Sequence, residues 1–214
     1  MVKKCKSKSD LLDYFDEELA WRSKEIIDIK SILQTNQASI LSRVLSKACI
    51  LIAYSHWEGF VKSSTCAYWA YLKFISYPRE NLSYNTLASL ILQSGGHSAL
   101  SDKIHEMRKI ISDPKHKIKF NIERLVDTQS NLNSDVLDTI MLNLGDDSSL
   151  FTTKRLFIDG VLLKNRNAFA HGEQRYVECD KAIEIASMAL DLIKLYNNAI
   201  CNMVSTEFFK NEIA

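Results

Sequence analysis

Only six glycines and two prolines are spread through 214 residues. Average usage would give roughly 25 of the two together. A β-sandwich or barrel needs many Gly/Pro turns, and a Rossmann or P-loop enzyme needs a glycine-rich loop. This chain supplies neither readily; it supplies long helices with few breaks. Its other proportions are those of a globular protein, 46% apolar and 25% charged, with 27 basic against 26 acidic residues and a formal net charge of +1. They exclude a disordered tail, a collagen-like rod and a histone-like polycation. So even a balance also argues against tight nonspecific nucleic-acid binding.

Nothing reads as membrane-spanning. The longest apolar run, Ala48–Tyr54, has seven residues, against about 20 for a span. The basic start MVKKCKSKSD lacks the apolar stretch of a signal peptide. Five cysteines (Cys5, Cys49, Cys66, Cys179, Cys201) form no C-x-x-C pair, and three sit inside apolar helical patterns. Free thiols in a reducing cytoplasm fit this better than disulfides or zinc.

Periodicity predicts four main helices. Residues 1–9, with Lys3, Lys4, Lys6 and Lys8, read as a basic flexible tail ahead of a single domain over 10–214. Asp10 is a plausible N-cap for a first helix ending near Leu33. The second helix runs from about Ala38 to Tyr77 and carries no charge between Lys47 and Glu58. A helix apolar all round is central and buried. Ala48, Ile52, Ser55 and Gly59 form a small-residue ridge open to close helix approach, and the aromatic run Trp57–Tyr77 reads as core and dimer surface. The third helix spans about Thr153 to His171, with Gly172 placed for a C-cap, and the last spans about Cys179 to Phe209. Residues 79–150, with Gly95-Gly96, Pro114 and Asn-rich stretches, read as a less compact helical insertion between the second and third helices. The fold class is an all-α bundle of four main helices plus that insertion.

One segment carries chemistry: KNRNAFAHG, Lys164 to Gly172. Asn167 and His171 are i and i+4 and share a helix face, and Arg166 is offset by about 100°. A guanidinium matches two phosphate oxygens and neutralises charge growing on phosphorus. An imidazole moves protons near neutral pH. RNA brings its own nucleophile, the 2′-hydroxyl, so no metal, cofactor, Ser or Cys is required. By spacing alone, a helix end with His171 as dipole partner and Arg166 in solvent is the favoured reading.

An all-α bundle whose third helix ends in Arg-Asn-Ala-Phe-Ala-His-Gly resembles the HEPN family (higher eukaryotes and prokaryotes nucleotide-binding domain). The resemblance rests on Arg166, Asn167 and His171, and on AYSHWEGFVK (Ala53–Lys62) in the second helix. It covers roughly residues 10–77 and 152–205. It implies a metal-independent endoribonuclease acting as a homodimer, with Arg166 and His171 catalytic and Asn167 positioning the phosphate or the Arg. It implies a cytoplasmic effector of a toxin–antitoxin or antiphage system, working on RNA and answering to an antitoxin or defence partner. Some family members are non-catalytic nucleotide-binding or assembly subunits, which is the alternative reading. Toxin members controlled by AMP attachment carry Tyr two residues after the His; here that position is Glu173, and the nearest tyrosine is Tyr176.

Other candidates are secondary. Glu58 either orients Arg166 or His171 or forms a structural pair. His56 reads as a satisfied core histidine. His97, His105 and His116 make no H-E-x-x-H motif, so no metal site is expected. Lys164, and Lys115, Lys117 and Lys119 of the segment KHKIKF, are candidate RNA-binding lysines; a solvated charge run is the blander reading.

Overall fold

The structure is a computed structural model and describes residues 5–93, 100–146 and 149–210. Gly95-Gly96, His97, Lys3 and Lys4 lie outside these. Three long helices make the frame: α1 (Lys8–Thr35), α2 (Ser42–Ile75) and α9 (Cys179–Ser205). Between α2 and α9 come α3 (Tyr84–Gln93), α4 (Leu100–Ser112), α5 (Ile122–Leu125), α6 (Ser134–Leu144), α7 (Arg155–Phe157) and α8 (Lys164–Ala170). No strand occurs among the described residues; an isolated bridge joins Leu82 and Lys210. The all-α class is as the residue pattern predicts.

Much of the uncharged stretch of α2 lies in the core. Cys49, Ile50, Ala53, Tyr54 and Trp57 are at most 1% exposed. They lie against α1 and α9, whose apolar faces include Phe15 and Ile26 on one side and Ala189, Ile193 and Tyr196 on the other. Trp57 and Phe60 both meet the edge of Tyr196. Burial pushes the Cys49 thiol up to about 11, as suits an inert core residue.

Local details depart from the sequence reading in four places. The first helix starts at Lys8, and its N-cap is Ser7, with Asp10 as the reciprocal partner of a capping box. Asp10 is therefore the third helical residue and not the cap, and the expected tail is ordered from Cys5, whose side chain is buried. The small-residue ridge is used at one end only: Gly59 meets α1, while Ser55 is exposed and Ala48 and Ile52 are half-buried. The insertion is no loose appendage, since Leu90, Leu125, Val126, Leu132, Leu137 and Ile140 join the common core. Finally, the third long helix is not regular. A 3-10 stretch (Ser149–Lys154) leads to α7, then one π-helical turn (Ile158–Leu163), then α8.

At the Gly59 contact sits a buried arginine. Arg22 Nη2 donates to Glu18 Oε2 at 2.8 Å, Ser63 Oγ donates to the same oxygen, and the guanidinium lies over Trp21. Burial works to raise the Glu18 carboxyl, but the hydrogen bonds from Arg22, Ser63 and Trp21 outweigh it and hold it below the usual range. A Cβ on Gly59 would lie 2.6 Å from Arg22 Nη1. Gly59→Ala should therefore displace a pinned cation. Overpacking costs about 1–3 kcal/mol, against roughly 1 kcal/mol gained in helix propensity. A net loss of about 1 kcal/mol in urea unfolding is expected, where an uncrowded helical Gly→Ala would gain stability.

His56 lies beside the same cluster. Its Nε2 is 3.0 Å from Glu25, and its ring meets the edge of Trp21. Burial, and then repulsion by Arg22, hold its pKa down; the Glu25 carboxylate opposes them without winning. A folded value below the unfolded value near 6.5 means that neutral His56 supports folding above that pH, and that the support is lost as pH falls. The urea midpoint should drop between pH 7 and pH 5.5, with a shallower drop in His56→Gln.

Candidate active site

Helix α8 ends in a Schellman turn. Gly172 N–H donates to Phe169 O, Glu173 N–H donates to Ala168 O, and Gly172 has φ +74°. The C-cap glycine read from the sequence is thus in place, and it leaves His171 as the capping residue, exposed at the helix end. Lys164, Asn167 and His171 follow i, i+3, i+7 and share one face. Lys164 is exposed and Asn167 half-buried.

Arg166 takes a different direction, toward α2. Its Nη1 donates to Asn131 Oδ1 at 2.7 Å and to Asn167 Oδ1 at 2.8 Å, and its Nη2 donates to Ser130 O at 3.1 Å. The guanidinium carbon lies 5.0 Å from the centroid of the Tyr54 ring. Three of its five N–H groups are thereby committed, leaving Nε and one Nη2 hydrogen. Among the described residues no carboxylate pairs with Arg166. Arg22 and Arg155, by contrast, are each neutralised by acids: Glu18 for the first, Asp135 and Asp138 for the second. Arg166 is fixed in place by neutral groups and keeps its charge.

The groups that fix it are themselves fixed. Tyr54 OH accepts from Leu132 N–H at 2.8 Å, tying the end of the insertion to α2. Glu58, one helical turn along, lies beside the phenol. Burial, followed by the Glu58 negative charge, pushes the Tyr54 pKa well up despite the Leu132 amide and Arg166. Tyr54 is thus a neutral hydroxyl. Gln129 N–H donates to Asp127 Oδ1, and Ser134 N–H donates to Asp159 Oδ1 in the π-helical turn. Between these ties, Gln129 (φ +51°) and Ser130 (φ +57°) adopt left-handed backbone. Non-glycine residues pay for that conformation, and such strain clusters at functional sites.

The structure thus brings together Arg166, Asn167 and, through Tyr54, Glu58. Glu58 reaches Arg166 only by way of Tyr54. The described contacts within one chain do not join His171 to Arg166, and the two side chains leave the helix about 140° apart. Lys115, Lys117 and Lys119 are exposed but lie elsewhere. Their segment's Phe120 packs on Trp69, fifteen residues beyond Tyr54 and so roughly 22 Å along α2. KHKIKF is irregular. Sequence reasoning missed Tyr54, Ser130 and Asn131 as site residues. Tyr54 and Glu58 at i, i+4 on the helix beside the motif were the one signal available. Among the described residues no three His, Cys, Asp or Glu side chains gather as a metal site, and no helix there is long and apolar enough to cross a membrane.

The fold is an all-α bundle in which one short helix carries Arg166 and Asn167 and ends at His171. The RiboL-PSP-HEPN family model matches residues 17–202, and the chain belongs to the HEPN family. No curated protein and no solved structure matches it.

The tie at Leu132 makes a local prediction. Tyr54→Phe keeps the ring under Arg166 but strands a buried N–H, at a cost of about 1–3 kcal/mol. Hydrogen exchange should show faster exchange at Leu132 than in wild type, with residues at the far end of α9 unchanged.

Proposed function

We propose that the protein is a metal-independent endoribonuclease that works as a homodimer. The observation that carries this is the charge state of Arg166. An arginine held by Asn131, Asn167, the Ser130 carbonyl and an aromatic face, with no acid among the described residues to neutralise it, is built to receive an anion. In the reaction, the two free N–H groups of Arg166 hold the non-bridging oxygens of the scissile phosphate and offset the charge that grows on them. The 2′-oxygen attacks phosphorus, and the bond to the 5′-oxygen breaks. His171 imidazoles remove the 2′-hydroxyl proton and supply one to the leaving oxygen. The products are a 2′,3′-cyclic phosphate and a 5′-hydroxyl. Asn167 positions Arg166, Tyr54 supports it, and Lys164 steers the strand.

A second copy accounts for the separation of Arg166 from His171 in one chain. A stripe of small and apolar residues, Val44, Ala48, Ile52 and Ser55, continues from Leu41 along α2 beside the motif, with Leu41 and Val44 55% and 66% exposed. Lys47, on the same helix, lies over the Phe169 ring and reaches the Glu173 carbonyl. Two chains joined on this stripe bring two copies of the motif to one cleft. The setting is a bacterial toxin–antitoxin or antiphage system in the cytoplasm, with an antitoxin or defence partner as regulator.

A second reading is a non-catalytic nucleotide-binding or assembly subunit. The engagement of three of Arg166's donors favours it. RNA cleavage in EDTA separates the two. Wild type should yield cyclic-phosphate ends, and Arg166→Ala and His171→Ala should lower the rate at least about 100-fold. A 2′-deoxy linkage should resist cleavage. Equal cleavage by wild type and His171→Ala, or none by either, would leave the assembly reading.

A further inference from the structure

The residue before Arg166 has an unmet need. Asn165 is 5% exposed. Its Nδ2 donates to Val161 O at 2.8 Å, which fixes the amide orientation because a carbonyl only accepts. Its Oδ1 is buried without any hydrogen-bond partner. A buried acceptor left so costs about 1–3 kcal/mol. Asn165 lines a cavity of about 370 Å³ between the π-helical turn, the irregular stretch after Gly172 and the first turns of α9. That volume falls in the range of small-molecule sites, roughly 300–1,000 Å³.

Gly160 lines the same cavity and points the same way. It lies in the π-helical turn without a positive φ, and a Cβ there would meet nothing within 4 Å. Glycine inside a helix costs roughly 1 kcal/mol relative to alanine. Gly160 is itself exposed, and neither backbone conformation nor packing within the chain requires glycine there, so the mouth of the cavity is free of side chain at this point. π-turns themselves concentrate at functional sites. The rest of the lining suits a nucleotide. Tyr176 offers an aromatic face, 58% exposed, with Arg43 at 5.3 Å from its centroid. Arg175 and Lys181 bring positive charge, partly offset by Glu178 and by the Lys181–Glu184 pair.

We infer that this cavity is a base-recognition subsite for a nucleotide flanking the scissile linkage. The base stacks on Tyr176 and donates an exocyclic amine hydrogen to Asn165 Oδ1, while Arg175 meets the adjoining phosphate. Tyr176 and Arg175 sit on chain without regular structure, so they part to admit it. A lone acceptor whose amide is already committed selects the bases with an exocyclic amine, adenine, cytosine and guanine, over uracil, whose N3–H lies between two carbonyl oxygens. The inference rests on the ribonuclease reading for its RNA, but its test does not.

AMP, CMP and UMP are titrated into the full chain and followed by NMR or calorimetry, with Asn165→Leu and Gly160→Leu as variants. AMP and CMP should bind at least about fivefold more tightly than UMP, the equivalent of one net hydrogen bond. Asn165→Leu should erase that preference and leave UMP unchanged, and Gly160→Leu, filling open space, should abolish all three. Binding without base preference, preference untouched by Asn165→Leu, or no binding at all overturns the inference. So does a shift of Gly160→Leu to a smaller species in light scattering, which would assign the cavity to a partner copy. Base preference without RNA cleavage would sink the ribonuclease reading alone; cleavage with no base preference would sink the subsite alone.

Discussion

Ten consecutive residues without charge at the centre of α2 set the terms for everything around them. A helix apolar on every side drives most of its surface out of water. Here α1 and α9 cover it along most of its length, the insertion and α8 take part of what remains, and Ser55 stays exposed with Ala48 and Ile52 half-buried. The site is a by-product of that coverage. Tyr54, inside the uncharged stretch, is 1% exposed at the ring yet needs a partner for its hydroxyl. It finds one in the Leu132 amide, and the buried ring becomes the surface on which Arg166 lies.

Two half-hidden arginines show how differently the same side chain is used. Arg22 is paired with Glu18 and wedged against Gly59, an arrangement that brings α1 and α2 close and consumes the charge. Arg166 is gripped as firmly, but by amide and carbonyl oxygens. Neutral acceptors orient a guanidinium without cancelling its field, so an incoming anion meets a cation that needs no reorganisation. Arg22 is also the more buried of the two, but the distinction that matters lies in partner chemistry.

The frame was legible because it is periodic. The long helices, the central place of α2, and Gly172 as the terminator of the motif helix all follow from spacing and residue type, and Arg166, Asn167 and His171 sit on consecutive turns of one helix. What was not legible depends on distant contacts. Asn131 reaches Arg166 across 35 residues of chain, and nothing in an Asn-rich stretch marks one amide as the one that lands. The π-helical turn leaves no compositional trace beyond Gly160, and Asp159's tie to Ser134 is equally silent. Ser7 was passed over as a cap in favour of Asp10, although the pair at N-cap and N3 is the capping-box signature. KHKIKF looked attractive for its lysines, but charge density says nothing about position, and the chain puts it well down α2 from the motif.

Two of the three hydrogen-bond acceptors on Arg166 come from Ser130 and Asn131, which belong to none of the three long helices. That setting is in part separable from the scaffold. The short polar stretch 129–131 can diverge while Val126 and Leu132 on either side stay in the core, and each such change re-aims one guanidinium by a small amount. A lineage built this way can explore new targets by editing a segment whose failure harms aim before it harms folding.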